Sequence, residues 1–351
     1  MLKLVGRLKY PNPRLAFLRD PPPSSLMPSR RQFLGQSLPG ITLLAAGGCM
    51  TSSHRASNLI IDTHLHLWDL RSQRLPWLTS APTILNRTYS LDDFSTATRG
   101  LNVRAVYMEV DVEETTLDQE ADTILDLARP GRSPILAAVL GGRPASPRLG
   151  SYLTRLKANP GFKGIRQVLH GSSTPAGYCL QPEFVRGVRH LGTLGLSFDL
   201  CMRPRELPDG ATLAAACPET RFILDHCGNP DLKSFRSPRT GESPPLHTSD
   251  EWKRSIETLA KRSNVICKIS GIGAGLVPGA GAEELAPAVN HCLDSFGPDR
   301  VVFGGDWPVC LLGITYLRWV EHLREITSAR PESDRRKLWH ANAARFYGLK
   351  V

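Results

Sequence analysis

The residues best suited to chemistry in this chain fall in four short stretches. "LIIDTHLHLWD" sets His64 and His66 one residue apart at the end of an apolar run, and "FKGIRQVLH" carries Arg166 and His170. "FILDHCGNPD" sets Asp225 beside His226, and "VVFGGDWP" sets Asp306 behind two glycines. Side chains alternate faces along a strand, so His64 and His66 point the same way. Two neutral imidazoles held by rigid backbone can chelate one divalent cation. A carboxylate at Asp306 can take a proton from a bound or positioned water and return it to a leaving oxygen. Each group also has an ordinary use, since a histidine can cap a strand or pack in the core and an aspartate can cap the next helix. The metal or acid–base use is favoured because His226 and Asp306 come from other strand ends toward the same rim.

Other polar residues end strands in the same way. Glu109, after "AVYM", is a further ligand, a substrate contact or a salt-bridge partner for Arg166. Arg166 and Arg203 can hold an anionic or hydroxyl-rich substrate through paired donors, and His170 can donate to it; either arginine can instead lie on the surface. Trp68 and Trp307 flank the first and last motifs, as an apolar wall of the site or as core packing.

These groups need elements to hold them. Short apolar runs recur at "NLIIDTH", "VRAVYMEV", "PILAAVLG", "FKGIRQVLH", "LSFDLC", "RFILDHCG", "NVICKISG" and "RVVFGGDWP", with helical patterns between them that begin at Ser, Thr or Asp and stop at Gly, Pro or Asn. Strands apolar on both faces, each followed by a helix, predict a parallel sheet with right-handed crossovers. Eight such units over residues 59–351 predict an α/β fold, a closed (β/α)₈ TIM barrel, with the polar strand ends at its active mouth. A doubly wound sheet would have fewer strands and a Gly-rich phosphate loop, which is missing. The longest loop, Gly228 to Asp250, is rich in Pro and Ser and reads as a lid or a disordered excursion.

With 41% hydrophobic and 22% charged residues among 351, the composition is that of a soluble globular protein. The net charge of +10 is concentrated in residues 1–58, where eight Lys/Arg face the single acid Asp20; the rest is near neutral, so no nucleic-acid surface is indicated. "MPSRRQFLGQSLPGITLLAAGGC" carries Arg30 and Arg31 before Phe33 and Leu34, and then a modestly apolar run ending at Cys49. This is similar to a twin-arginine (Tat) export signal with a lipoprotein processing site, which predicts a start at Met27, a periplasmic or membrane-anchored protein, and lipid at Cys49 as the membrane contact. The other seven cysteines form no CxxC pair, and most sit in apolar runs as small hydrophobes.

In order and spacing, the motifs "IIDTHLHLWD", "FKGIRQVLH", "FILDHCGNPD" and "VVFGGDWP" resemble the amidohydrolase superfamily, in its amidohydrolase-related, fuconolactonase-like lactonase branch, over essentially all of residues 59–351. The resemblance implies a barrel with His64, His66, His226 and Asp306 lining the site, and Asp306 activating water against a lactone carbonyl. It implies at most one metal, with zinc the expected ion, because strand five ends in "FDLC" without a histidine and Lys163 lies at the start of strand four. Some members of the branch work without metal. The expected partner is a small lactone or sugar acid, and a homo-oligomer is left open. Two rivals remain: a metal-dependent decarboxylase of the same superfamily, and an inactive sugar-acid-binding lipoprotein.

Overall fold

A computed structural model describes residues 58–350, so the twin-arginine stretch and Cys49 lie outside the described residues. Eight parallel strands follow one another in chain order around the sheet: β1 Leu59–Leu65, β2 Asn102–Met108, β3 Ile135–Gly141, β4 Phe162–Val168, β5 Ser197–Cys201, β6 Arg221–Leu224, β7 Val265–Ile269 and β8 Val301–Phe303. The intervening helices are α1 Leu91–Ala97, α2 Leu117–Leu127, α3 Leu149–Leu156, α4 Pro182–Thr193, α5 Leu207–Ala216, α6 Ser249–Ala260 and α7 Ala282–Phe296. After β8 come α8 Tyr316–Ile326 and α9 Glu332–Arg336, then a π-helical turn, Lys337–Ala341, that runs into α10 Asn342–Tyr347. The barrel predicted from alternating apolar runs and helices is present, nearly closed.

Local chemistry starts the helices where the sequence places them. Ser90 and Asp93 form a reciprocal capping box at α1, Thr248 and Glu251 form another at α6, and the Thr315 hydroxyl caps α8. The barrel has two cores. Ile61, Val106, Met108, Ala137, Val139, Ile223, Ile266 and Val302 fill the interior, with Ala343 and Tyr347 of α10 packed against the same cluster. The outward faces of the strands pack on the helices.

The seam between β8 and β1 is closed by other means than a full ladder. Leu65 and Trp307 make a parallel bridge, Thr63 Oγ1 donates to the carbonyl of Phe303 at 2.7 Å, and Gly305 N donates to Asp62 Oδ1 at 2.7 Å. Glycine is required here: a Cβ on Gly304 would stand 2.9 Å from the Cβ of His64, and one on Gly305 would stand 2.4 Å from Asp62 Oδ2.

The loop from Gly228 to Asp250 is fastened to the body. Asp231 N donates to His247 Nε2 at 2.8 Å, Ser234 Oγ donates to the His247 carbonyl at 2.6 Å, and Arg236 and Arg239 pair with Glu242 and Glu284. Its Pro/Ser-rich composition suggested a lid or a disordered excursion; it is not the excursion, because buried side chains such as His247 and Leu232 tie it down.

Candidate active site

A break in β1 aims the first two histidines. Ile61 belongs to the interior cluster, and in a regular strand His64, three positions on, would face the helices. The pairing of β1 with β2 shifts register between Asp62 and Leu65, and this irregularity turns His64 and His66 toward the barrel axis. Asp62 stabilises the turn, because its Oδ1 accepts from the backbone N–H of His64 at 2.9 Å as well as from Gly305. The rings of His64 and His66 lie 4.8 Å apart, and that of His226 is 4.4 Å from His64.

His226 and Asp306 both sit on left-handed backbone, at φ of 55° and 53°, an uncommon conformation for residues other than glycine. Such positions cluster at functional sites. His226 is fixed from the side as well: its Nδ1 lies 3.0 Å from Ser270 Oγ, and a Cβ on Gly271, whose φ is +72°, would be 2.2 Å from that nitrogen. Asp306 Oδ1 stands 3.4 Å from Nε2 of His66 and 3.7 Å from Nε2 of His64. Ligand atoms of His64, His226 and Asp306 all lie within 4.8 Å of one another.

Around this centre lies a buried charge network. Arg166 Nε donates to Glu109 Oε1 at 2.6 Å, and its Nη2 to the Glu109 carbonyl at 2.8 Å. Its Nη1 lies 3.2 Å from Nε2 of His64 and 3.5 Å from Asp225 Oδ2. Deeper in the barrel, Lys268 Nζ is 2.8 Å from Asp199 Oδ2, 2.9 Å from Asp225 Oδ1 and 3.2 Å from Nδ1 of His64. Burial raises the carboxyl of Asp225, but Lys268 and His64 outweigh it and hold the group well below the ordinary range. Burial, reinforced by the Lys268 ammonium, lowers His64 well below the usual imidazole value. Burial also lowers His226, against the pull of Asp306 and Asp225. Both rings are therefore neutral, the form that ligates metal.

Asp306 and His66 supply the test of whether an ion fits. His66 Nδ1 lies 2.9 Å from the Met108 carbonyl, which can only accept, so Nδ1 carries the proton and Nε2 keeps its lone pair. That lone pair faces a carboxylate oxygen, and two acceptors at this separation are stabilised by a cation or proton held between them. His64, His66, His226 and Asp306 thus fit one small divalent ion. Arg166 Nη1 shares the Nε2 edge of His64 with Asp306, and Lys268 takes the Nδ1 edge.

Comparison with known proteins places the chain in a family. Residues 61–349 match the model of the family described as Amidohydrolase. The chain belongs to this amidohydrolase family. Among its amidohydrolase relatives, L-fucono-1,5-lactonase of Burkholderia multivorans is 29% identical over 304 residues, covering 83% of this chain and 96% of the relative. L-rhamnono-gamma-lactonase of Scheffersomyces stipitis is 26% identical over 206 residues, covering 53% of this chain and 59% of the relative. A crystal structure of an amidohydrolase from Burkholderia multivorans with bound zinc superposes with a TM-score of 0.73 at 25% identity, over 83% of this chain and 100% of that one.

The amidohydrolase barrel sorts the remaining sequence candidates. Arg166 is buried beside His64, so the surface alternative is excluded, and Glu109 is its salt-bridge partner, with Oε2 accepting from Asp111 N at 2.6 Å. Arg203 departs from the substrate-contact expectation. Its guanidinium donates to the carbonyls of Gly171 and Thr174 at 2.9 and 2.8 Å and to Glu206, so it pins the loop after β4. His170 is exposed in that loop. Trp68 and Trp307 are core residues: Trp68 packs edge-on against Trp77 and Tyr89, and Trp307 against Tyr89, each with 2% of its surface exposed. Sequence reasoning missed Lys268 and Asp199, whose signal was a charge in the middle of each of two otherwise apolar strands.

Proposed function

We propose that this amidohydrolase opens lactones of sugar acids, at a centre formed by His64, His66, His226 and Asp306 that holds one divalent ion, with zinc the expected one. The carrying observation is the position of Asp306 Oδ1, within 3.7 Å of Nε2 of both strand-one histidines. The lactonase names of the relatives and the zinc in a similar structure support the substrate class and the metal.

An ion bound there supplies Lewis-acid polarisation of the carbonyl and lowers the pKa of a coordinated water. The chain's own residues do the rest. Asp306 takes a proton from the attacking water, whose oxygen bonds to the lactone carbonyl carbon. The ring C–O bond then breaks, and Asp306 returns the proton to the departing alkoxide, leaving a hydroxy acid. Arg166, held rigid by Glu109, presents a fixed positive charge beside His64 that stabilises the developing oxyanion. His226, locked by Ser270 and Gly271, keeps its free edge turned to the centre it shares with His64 and Asp306.

A panel of five- and six-membered sugar-acid lactones, assayed with a pH indicator before and after chelation, tests this reading. Acid release lost on chelation and restored by zinc supports it; no turnover of any lactone by the zinc-loaded protein argues against it. Arg30–Arg31 and Cys49 further support export and lipid anchoring. Cell fractionation of the wild type and Cys49→Ala checks that.

A further inference from the structure

Lys268 is fully buried in the barrel interior, and its ammonium is surrounded by groups of the kind that bind metals. Asp199 Oδ2, Asp225 Oδ1 and His64 Nδ1 lie 2.8, 2.9 and 3.2 Å from Nζ. Asp199 and Asp225 are themselves wholly buried, and Asp199 Oδ1 accepts no hydrogen bond among the described residues. Two carboxylates turned toward one point in a low-dielectric interior require a positive charge at that point. In this chain a covalently attached ammonium provides it.

We propose that Lys268 is a fixed internal cation that fills a second ion position made by Asp199 and Asp225 beside the Nδ1 edge of His64, and so restricts the centre to a single exchangeable ion on the Nε2 side of His64. His64 is the shared element: its Nδ1 faces Lys268 while its Nε2 faces Asp306. Lys268 is therefore a positioning residue, acting on the reacting centre through His64 and Asp225. This single permanent cation is balanced against Asp199 and Asp225 without any loss to solvent. Removing it leaves a vacant cradle with an excess of buried negative charge, which a divalent ion satisfies with the carboxylate oxygens of Asp199 and Asp225.

This inference rests on the reading that the Asp306 centre takes a divalent ion, but its test is a difference and stands apart from that reading. Wild type, Lys268→Gln and Lys268→Arg are equilibrated with zinc and desalted, and zinc per chain is counted by elemental analysis alongside circular dichroism. The wild-type count tests the Asp306 centre. Lys268→Gln is expected to hold one zinc equivalent more than the wild type, and Lys268→Arg, which keeps the charge, no more than the wild type. Equal counts in wild type and a folded Lys268→Gln overturn the proposal. If Lys268→Gln does not fold, the wild type decides: a count that stays at or below one in millimolar zinc is the expected result, and a second site-bound equivalent overturns it. Asp199→Asn provides a readout that general damage would not give. In the Lys268→Gln background it removes a donor of the new position and is expected to abolish the extra equivalent, leaving the wild-type count; retention of the extra equivalent would contradict the assigned ligands.

Discussion

Oδ1 of Asp306 lies 3.4 Å from Nε2 of His66, whose other nitrogen is committed to the Met108 carbonyl. The ring cannot rotate its proton away from that carbonyl without losing a buried hydrogen bond, so its lone pair is permanently aimed at the carboxylate. His66→Ala should therefore weaken zinc binding by more than the roughly 10–100-fold that follows loss of an outer partner of a metal site. Competition with a chromogenic chelator measures it, and unchanged affinity would remove His66 from the ligand set.

Arg166 and Glu109 form a buried ion pair at 2.6 Å. Removing one partner of such a pair costs about 3–5 kcal/mol, because the other charge is left buried alone. Arg166→Met is expected to lose about that much stability in urea and to lower kcat, whereas Arg166→Met with Glu109→Gln should recover stability and not kcat. If kcat returns with stability, Arg166 is structural only.

Gly271 and Gly195 both have positive φ, +72° and +69°, but only Gly271 has a site residue within reach of an added Cβ. Alanine at either position should cost a similar backbone strain. Gly271→Ala should in addition push the His226 ring aside and lower kcat by about 10²-fold, the effect of a misplacement near 1 Å. Equal kcat values for the two variants would dissociate His226 from the reaction.

Glu120 gives a pH signature. Burial, with the nearby Glu109 charge adding to it, raises its carboxyl from 4.5 to about 8, against hydrogen bonds from Tyr107 and the backbone of Val110 and the Arg166 charge. Between those two values the folded chain holds a proton that the unfolded chain has released, so stability from this group is full below pH 4.5 and falls as pH rises toward 8. Thermal unfolding between pH 5 and 8 should show a decline that is shallower in Glu120→Gln. A Glu120→Gln profile parallel to the wild type would show that Glu120 is not the group being titrated.

The groups gathered at the barrel mouth were legible because each stands at the end of an apolar run, where a change from strand to polar residues is visible in one dimension. His64, His66, His226 and Asp306 were read this way, and the eight strands that carry them follow from the same runs. The register shift in β1 was not legible: "DTHLH" has no bulge residue such as glycine, and the shift coincides with two hydrogen bonds that Asp62 accepts, one from His64 N and one across the seam from Gly305 N. Lys268 and Asp199 were hidden for a related reason. In "ICKIS" and "FDLC" a single charge in an apolar strand is readable as a residue pointing to solvent, and only closure of the barrel brings the two charges together. The tryptophans beside the motifs were ambiguous because sequence adjacency to a site does not fix which face a side chain takes; both face the packing of the long β1–α1 connection.

The most direct test of the central claim is acid release from a sugar-acid lactone by the zinc-loaded wild type and Asp306→Asn, followed under single-turnover conditions. Loss of the proton acceptor with retention of shape should slow the chemical step by about 10²–10⁴-fold while circular dichroism stays unchanged. A folded Asp306→Asn protein that opens the lactone as fast as the wild type would contradict the account.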